Sequence, residues 1–369
     1  MVPRAGWQKR VEDSGVTWHT DGERTYWNES ACYEFTATEI DRLEAAAAEL
    51  HALCIEAGKE IVRRGWWARV GIREREVPLV RASWEAAEWS LYGRFDVAWT
   101  ERGELKLLEY NADTPTSLVE AAVAQWQWLQ DLSPELDQFN SIHERIVAAW
   151  RTSGHKRIHF STLAGAEEDA MTCLYLAETA RQAGLDVRSI ALSRIGWNAA
   201  RSHFLDEGDF EITACFKLYP WEAMLRDEFA QHLAASRCKF IEPPWKSFLS
   251  NKGLLAVLWE LFPDHALLLP AFADAASLGS NYVKKPIFGR EGANVEWVEN
   301  GTPIASTDGD YGEEGFIFQA PARIALHDGY RPILGLWIVA GEPAGLGVRE
   351  DSGLIVGNWS PFVPHRFRD

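Results

Sequence analysis

Apolar residues change their spacing several times along this chain, and each change marks a different kind of element. In "TATEIDRLEAAAAELHALCIEAGKEIVRRG" the positions Ile40, Leu43, Ala47, Leu50 and Cys54 fall on one face of a helix. Thr36 and Glu39 form a capping box at its start and Gly65 ends it, so a long amphipathic helix is predicted. The next pattern, "YGRFDVAWTERGELKLLEYNADTPTS" from Tyr92 to Ser117, alternates as a hairpin does, with Arg102 and Gly103 as a two-residue turn. That register sets Asp96 opposite Glu109 and Arg94 opposite Asn111. All four side chains then share one sheet face, while Phe95, Val97 and Trp99 occupy the other. A helix follows in "SLVEAAVAQWQWLQDL", with a second capping box from Ser117 to Glu120, and another around "FNSIHERIVAAWRTSG".

From His155 the pattern becomes "RIHFST", then a helix through "EEDAMTCLYLAETARQAG", then "DVRSIAL", which reads as a βαβ unit in a separate α/β lobe. No GxGxxG turn follows its first strand, so a dinucleotide site there has little support. The last third reads as strands and turns: "NYVKKPIF", "NVEWVENG", "EGFIFQA", "ILGLWIVAG", "EPAGLGVRED" and "GLIVGNWS". A single antiparallel sheet is the simplest account of them. No internal repeat is present.

With 369 residues the chain can divide into two or three lobes, and 47% hydrophobic with 25% charged residues describes a globular protein. A formal net charge of −17 argues against sequence-independent binding of nucleic acid, which needs clustered Lys and Arg. The five cysteines are widely spaced and form no CxxC pair, which argues against disulfides and structural zinc. The start "MVPRAGWQKRVEDSG" lacks an apolar signal core, and the most apolar later stretch is broken by Glu260, Pro263, Asp264 and His265. A cytoplasmic protein without a membrane span is expected. Eighteen tryptophans raise the idea of sugar stacking, but Trp66, Trp67, Trp126, Trp128 and Trp259 fall within apolar patterns, which favours core packing.

Four places carry candidate chemistry. Like charges directly opposite each other are destabilising, so Asp96 and Glu109 need a cation between them or open water. With Asn111 they form a hard-oxygen set that suits Mg²⁺. The plain alternative is a solvated hairpin with Arg94 and Lys106 as counterions. In "YVKKPIFGREGANVEW" a strand delivers Lys284 and Lys285 into Gly289, Arg290, Glu291 and Gly292, where backbone N–H groups could close on phosphate. No GK[ST] completes a Walker A loop, and a two-glycine hairpin turn is the alternative. Lys252 stands at a helix start, where a lysine opposes the helix dipole unless an anion is near. Arg349, in "GLGVRED", could clamp a carboxylate or phosphate, or pair with Glu350 or Asp351. Histidines and serines form no readable triad.

Seven ordered blocks, "RFDVAW", "LLEYNADTPTSLVEAA", "FKLYPWE", "NKGLLAVLWELFP", "KKPIFGREGANV", "YGEEGFIFQ" and "GVREDSGLIVGNWSPFVPH", make nearly the whole chain resemble the glutathionylspermidine synthase family of ATP-grasp ligases. The resemblance implies an α+β architecture, an ATP-grasp fold with permuted motif order and a pre-ATP-grasp α/β lobe. Residues 1–152 would hold an N-terminal helical region and the metal-binding hairpin, 153–244 the pre-ATP-grasp lobe, and 245–369 the nucleotide-binding region. It implies ATP-dependent joining of a small-molecule carboxylic acid to an amine, with ATP and Mg²⁺ as cofactors. A glutathione-like peptide and a polyamine are the substrate pair the family suggests. By that resemblance Asp96, Glu109 and Asn111 hold Mg²⁺, and Arg94 stabilises the reacting phosphoryl and acyl groups. Lys252 and Lys285 would bind ATP phosphates, with Gly289, Arg290 and Gly292 closing over them. Gln319 would lie near adenine, and Arg349 would contact phosphate or the acid. Bifunctional members carry an N-terminal cysteine amidase domain, whereas this chain begins directly at the ligase lobe, so amidase activity is not expected. The rival readings are a small-molecule kinase and a non-catalytic ATP-binding protein on the same fold.

Overall fold

The predicted long helix forms over Ala37–Arg64 in the computed structural model, which describes residues 1–357 and 359–368. Its capping box is made as the sequence indicates: the Thr36 hydroxyl accepts from the Glu39 amide while the Glu39 carboxylate accepts from the Thr36 amide. Gly65 closes the other end in the left-handed region, at φ 68°. Ile40, Leu43, Ala47, Leu50 and Cys54 are buried and pack on a five-stranded antiparallel sheet.

That central sheet is ordered Phe362–Val363, Glu342–Asp351, Arg331–Val339, Tyr92–Trp99, Leu105–Asn111. Strand alternation gives its two faces to two cores. Phe95, Val97, Leu334, Leu336 and Val348 join the long helix. Tyr92, Trp337 and Val339 join a second core with Trp128, Ile146 and Trp150, and with Ile158, Phe160 and Phe216 of the α/β region. The α/β region carries a four-stranded parallel sheet, Lys239–Ile241, Ala214–Leu218, Arg157–Thr162, Asp186–Ala191, with the helix Glu167–Gln182 crossing from the third strand to the fourth. A third, antiparallel sheet runs Ala271–Phe272, Phe316–Gln319, Tyr282–Pro286, Glu296–Glu299, Thr302–Ser306.

The last third therefore supplies two sheets rather than one, because Arg331–Val339 pairs with Tyr92–Trp99 and completes the sheet begun by the hairpin. Nor is "GLIVGNWS" a strand. Residues 353–357 run as an irregular segment, and Asn358 lies outside the described residues.

The hairpin reaches its expected register by an unexpected route. Its turn holds three residues, Glu101 to Gly103, with Gly103 at φ 74° and its N–H donating to the Thr100 carbonyl. Near the turn the pairs are Trp99 with Leu105 and Val97 with Leu107, one step away from the two-residue register. A bulge at Leu108 restores it, so that Asp96 faces Glu109 and Arg94 faces Asn111.

The second capping box does not form. Ser117 sits at φ 64°, its hydroxyl is 3.0 Å from the Tyr26 hydroxyl, and Glu120 accepts from Tyr26 at 2.8 Å and from Trp18. The helix spanning 118–132 opens with a π-turn over Glu120–Ala124, a distortion frequent beside functional sites. Trp67 and Trp128 are buried as expected, but Trp126 is exposed on the outer side of that helix. Among the described residues no helix is long and apolar enough to cross a membrane.

Candidate active site

On the site face of the hairpin the four polar residues bond to one another. Arg94 donates from Nε and Nη2 to the two oxygens of Asp96 at 2.7 and 2.9 Å, and from Nη1 to the Thr116 carbonyl at 2.5 Å. The Asn111 amide donates to Asp96 at 3.1 Å and to Glu109 at 3.2 Å. Lys252 completes the set with its Nζ 2.8 Å from Glu109 Oε2 and 2.7 Å from the Gly289 carbonyl. The counterions are thus Arg94 and Lys252. Lys106 turns away and donates to the Ala266 carbonyl at 2.8 Å.

Small residues on neighbouring strands give Arg94 its room. Gly335 lies opposite Asp96 and Gly347 lies opposite Gly335. A Cβ at 335 would stand 2.9 Å from Arg94 Cδ, so the Arg94 side chain crosses the strand where glycine leaves room for it, with its guanidinium over the Trp337 ring. Gly253, which opens the helix Gly253–Leu261 just after Lys252, is equally constrained, since a Cβ there would come within 2.2 Å of the Arg69 carbonyl.

Lys285 and Gln319 come together across the third sheet. Lys285 Nζ donates to Gln319 Oε1 at 2.7 Å and to the Leu108 carbonyl at 3.3 Å, and Gln319 Nε2 donates to the Leu107 carbonyl at 3.1 Å. The bulge at Leu108 thus leaves a carbonyl turned toward the lysine. Lys284 leaves the site and lies over the Phe316 ring. Leu108, Val283, Ile324, Ile333 and Leu354 line an apolar slot that continues from Lys285 within the same cleft.

The glycine loop closes one wall. Glu291 and Gly292 are at φ 55° and 68°, and a Cβ at 292 would stand 2.4 Å from the Val356 carbonyl, so the loop meets residues 354–357 over the cleft. Arg290 is directed by the protein itself: Nη1 donates to Thr114 Oγ1 at 2.8 Å, and Nε and Nη2 donate to Glu222 Oε1 at 3.2 and 3.0 Å. Arg349 donates to the carbonyls of Ser360 and Gly357 at 3.1 and 2.8 Å and lies over the Tyr26 ring. Its neighbours Glu350 and Asp351 bond elsewhere: Glu350 accepts from Tyr33 and Asn28, Asp351 from Ser360.

Charge is finely balanced here. Burial works against the Glu109 carboxylate, but the charges of Lys252 and Lys285 outweigh it and bring its pKa down to about 2. Burial is also the largest influence on Asp96 and raises it despite Arg94. Lys285 is pulled down to about 8 by burial, with Lys252 adding to the effect and Glu109 resisting. A second acidic group lies beyond Arg349, where burial and the charge of Glu120 push Glu168 up to about 8. Glu168 also accepts from the Ser117 amide, and Ser117 lines a small cavity with Arg94 and Arg349.

Of the residues singled out in the sequence, Lys284 and Lys106 lie off the cleft, while Arg94, Asp96, Glu109, Asn111, Lys252, Lys285, Gly289, Arg290, Gly292, Gln319 and Arg349 are on its walls. Sequence reading missed Thr114, Glu222 and the buried acids Glu120 and Glu168. A carboxylate inside an otherwise apolar helix start was the signal available at Glu120, whereas Glu168 sits among Glu167 and Asp169 in an acidic first turn and reads as an ordinary helix-start acid. Among the described residues no group of three or more His, Cys, Asp or Glu side chains is placed to hold a metal. The set at the hairpin is two carboxylates and an amide. The carboxylates are hard oxygen donors and Asn111 turns its NH2 to them here; with that amide turned over to present its oxygen the set fits Mg²⁺, which takes one or two carboxylates and leaves positions for phosphate and water.

The family model described as "Glutathionylspermidine synthase preATP-grasp" matches residues 1–368. A Haemophilus influenzae protein named "Putative acid--amine ligase" is 41% identical over 364 residues, covering 94% of this chain and 92% of that one. Trypanothione synthetase of Crithidia fasciculata is 27% identical over 360 residues, and the bifunctional glutathionylspermidine synthetase/amidase of Escherichia coli is 26% identical over 366. The chain spans 55% and 58% of the length of those two. Among solved structures, a glutathione synthetase-like effector from Globodera pallida superposes over 100% of this chain and 98% of its own with a TM-score of 0.60 at 10% identity, which is a likeness of fold. The match over residues 1–368 and the relative at 41% identity agree: this chain belongs to the glutathionylspermidine synthase preATP-grasp family.

Proposed function

We propose that this chain is an ATP-dependent carboxylate–amine ligase that forms an amide through an acyl phosphate and releases ADP. The observation that carries the reading is the convergence in one cleft of an acid pair with Asn111, three fixed cations, and an apolar slot wide of them. The names of its relatives, synthetases and an acid–amine ligase, support it. On this reading the third sheet and the hairpin form an ATP-grasp, with adenine in the slot beside Val283 and Ile333, and with phosphates over Lys285, Lys252 and the glycine loop.

Asp96, Glu109 and Asn111 would hold Mg²⁺, which neutralises phosphate charge when bound. The chain's own residues do the rest. Lys285, held by Gln319 and the Leu108 carbonyl, presents a fixed charge to the phosphates. Arg94, held by Asp96 and Thr116, lies where the substrate carboxylate and the γ-phosphate meet. An oxygen of the carboxylate attacks phosphorus, the bond to the β-γ bridging oxygen breaks, and ADP leaves. The amine nitrogen then attacks the acyl carbon, phosphate departs and carries off the amine proton. Positioned cations accelerate such transfers by meeting the developing charge without reorganisation, and no protein nucleophile is required. A glutathione-like peptide and a polyamine are the first pair to try.

The test is a screen of acid and amine pairs for ADP release, followed by product mass. ADP should accumulate one for one with amide only when both substrates are present, and hydroxylamine should trap the acyl phosphate as a hydroxamate. AMP with pyrophosphate, or a stable phosphoester without amide, would sink the proposal.

A further inference from the structure

Asp113 and Lys217 are both buried, at 1% exposure each, and they come from parts of the chain 104 residues apart. Lys217 Nζ donates to Asp113 Oδ1 at 2.6 Å and lies 4.7 Å over the Trp221 ring. The second carboxylate oxygen accepts from the Trp221 amide at 2.8 Å. Lys217 stands in the strand Ala214–Leu218 of the parallel sheet, while Asp113 belongs to the loop that follows Asn111.

That loop gathers the site's parts. The amides of Ala112 and Asp113 both donate to Ser250 Oγ at 3.1 Å, two residues before Lys252. Thr114 accepts from Arg290, and the Thr116 carbonyl accepts from Arg94. A buried carboxylate that loses its partner must be neutralised or relocated, because its charge is costly away from water. Two other cations feel the charge of Asp113, Lys246 and Arg290, and of these Arg290 is already bonded to the same loop through Thr114. Without Lys217 the loop would shift toward Arg290, carrying the carbonyl that orients Arg94.

From this we infer that Lys217 is a positioning residue for the ligase reaction: acting through Asp113, it ties the α/β sheet to the loop that sets Arg94 and Arg290. The inference rests on the ligase reading above. Three variants separate it from a purely structural role. Lys217→Met alone leaves a buried unpaired charge, so the decisive variant is Asp113→Asn with Lys217→Met, which removes both charges. That double variant should melt close to the wild type and bind MgATP within about threefold, yet lose roughly 30-fold or more in kcat, since the loop then has no tie to Lys217 of the sheet and small misplacements of reacting groups cost about that. Lys217→Arg, which keeps the charge at a different reach, should recover part of the loss. A folded double variant with wild-type kcat overturns the role of Lys217 and leaves the ligase intact. A wild-type protein that joins no acid–amine pair while binding MgATP overturns the ligase reading and this role with it.

Discussion

Lys285 holds the least secure charge in the site. At pKa about 8 it is partly neutral in mildly alkaline solution, because burial and Lys252 oppose its proton. Phosphate favours the charged form, so MgATP affinity should fall as pH rises through about 8, and binding above that pH should take up a proton. Calorimetry in two buffers of different ionisation enthalpy reads this directly, and Lys285→Met should abolish the buffer dependence. The unfolded lysine keeps its proton to about 10.4. Between those two values the unfolded state binds more protons, so this group makes stability rise with pH. At the acid pair, removing charge without volume is the cleaner test. Asp96→Asn and Glu109→Gln should each lower turnover by roughly a hundred- to a thousandfold on the expectation for transition-state electrostatics, with MgATP-induced stabilisation weakened. Truncating Asp96 to Ala would also leave the Arg94 guanidinium without its bidentate partner, so thermal stability should fall, whereas simple relief of acid–acid repulsion would raise it. Individual acids and lysines could be picked out by type and spacing, although the roles expected of them came from the family resemblance. Their partners were not: that Lys252 meets Glu109, or that Glu222 holds Arg290, depends on segments brought together by the whole fold.

Elements were legible where a local signal decides the outcome. The capping box at Thr36 is one, and Thr36→Ala should cost about 1 kcal/mol, a typical loss for an N-cap, visible as a lower urea midpoint with turnover per folded molecule unchanged. The same motif at Ser117 misled, because Tyr26 and Trp18 claim Glu120 and the backbone at Ser117 turns left-handed. Tertiary partners outweighed a local preference worth about a kilocalorie. The hairpin register was readable although its turn was not, since the three-residue turn and the bulge at Leu108 cancel. Gly292 gives the sharpest test at this scale. Ala there would clash with the Val356 carbonyl and strain a positive φ at a cost of about 1–3 kcal/mol, so the KM for ATP should rise about tenfold or more as the loop gives way, while the melting temperature moves little.

At the scale of the molecule, the division of the central sheet between two cores escaped the sequence, because a strand pattern says which residues are inward but not what covers each face. The buried histidines tie those cores to solution conditions. His365, held neutral with Nε2 accepting from the Phe139 amide and Nδ1–H donating to Gln125, is lowered to about 3 by burial. His51 is lowered to about 4 by burial and by Lys246. Unfolded histidine titrates near 6.5, so below that pH the unfolded state binds protons the native state refuses. Each residue then removes stability as pH falls, about 2 kcal/mol by pH 5. Glu168 contributes with the opposite slope, being protonated in the folded state up to about 8. The histidine contribution is therefore read as a difference: His51→Gln should show a shallower loss of denaturation midpoint between pH 7 and pH 5 than the wild type.

The cleared strip at Gly335 and Gly347 sets a limit on how this protein can be improved. Two glycines in the middle of adjacent strands sacrifice packing and add disorder to the unfolded chain, so a search for thermostable variants would choose Ala at 335 among its first substitutions. That methyl would occupy the space of Arg94 Cδ. It would also press on the Gly347 carbonyl at 3.3 Å, so a heat-resistant descendant has to gather its gains elsewhere.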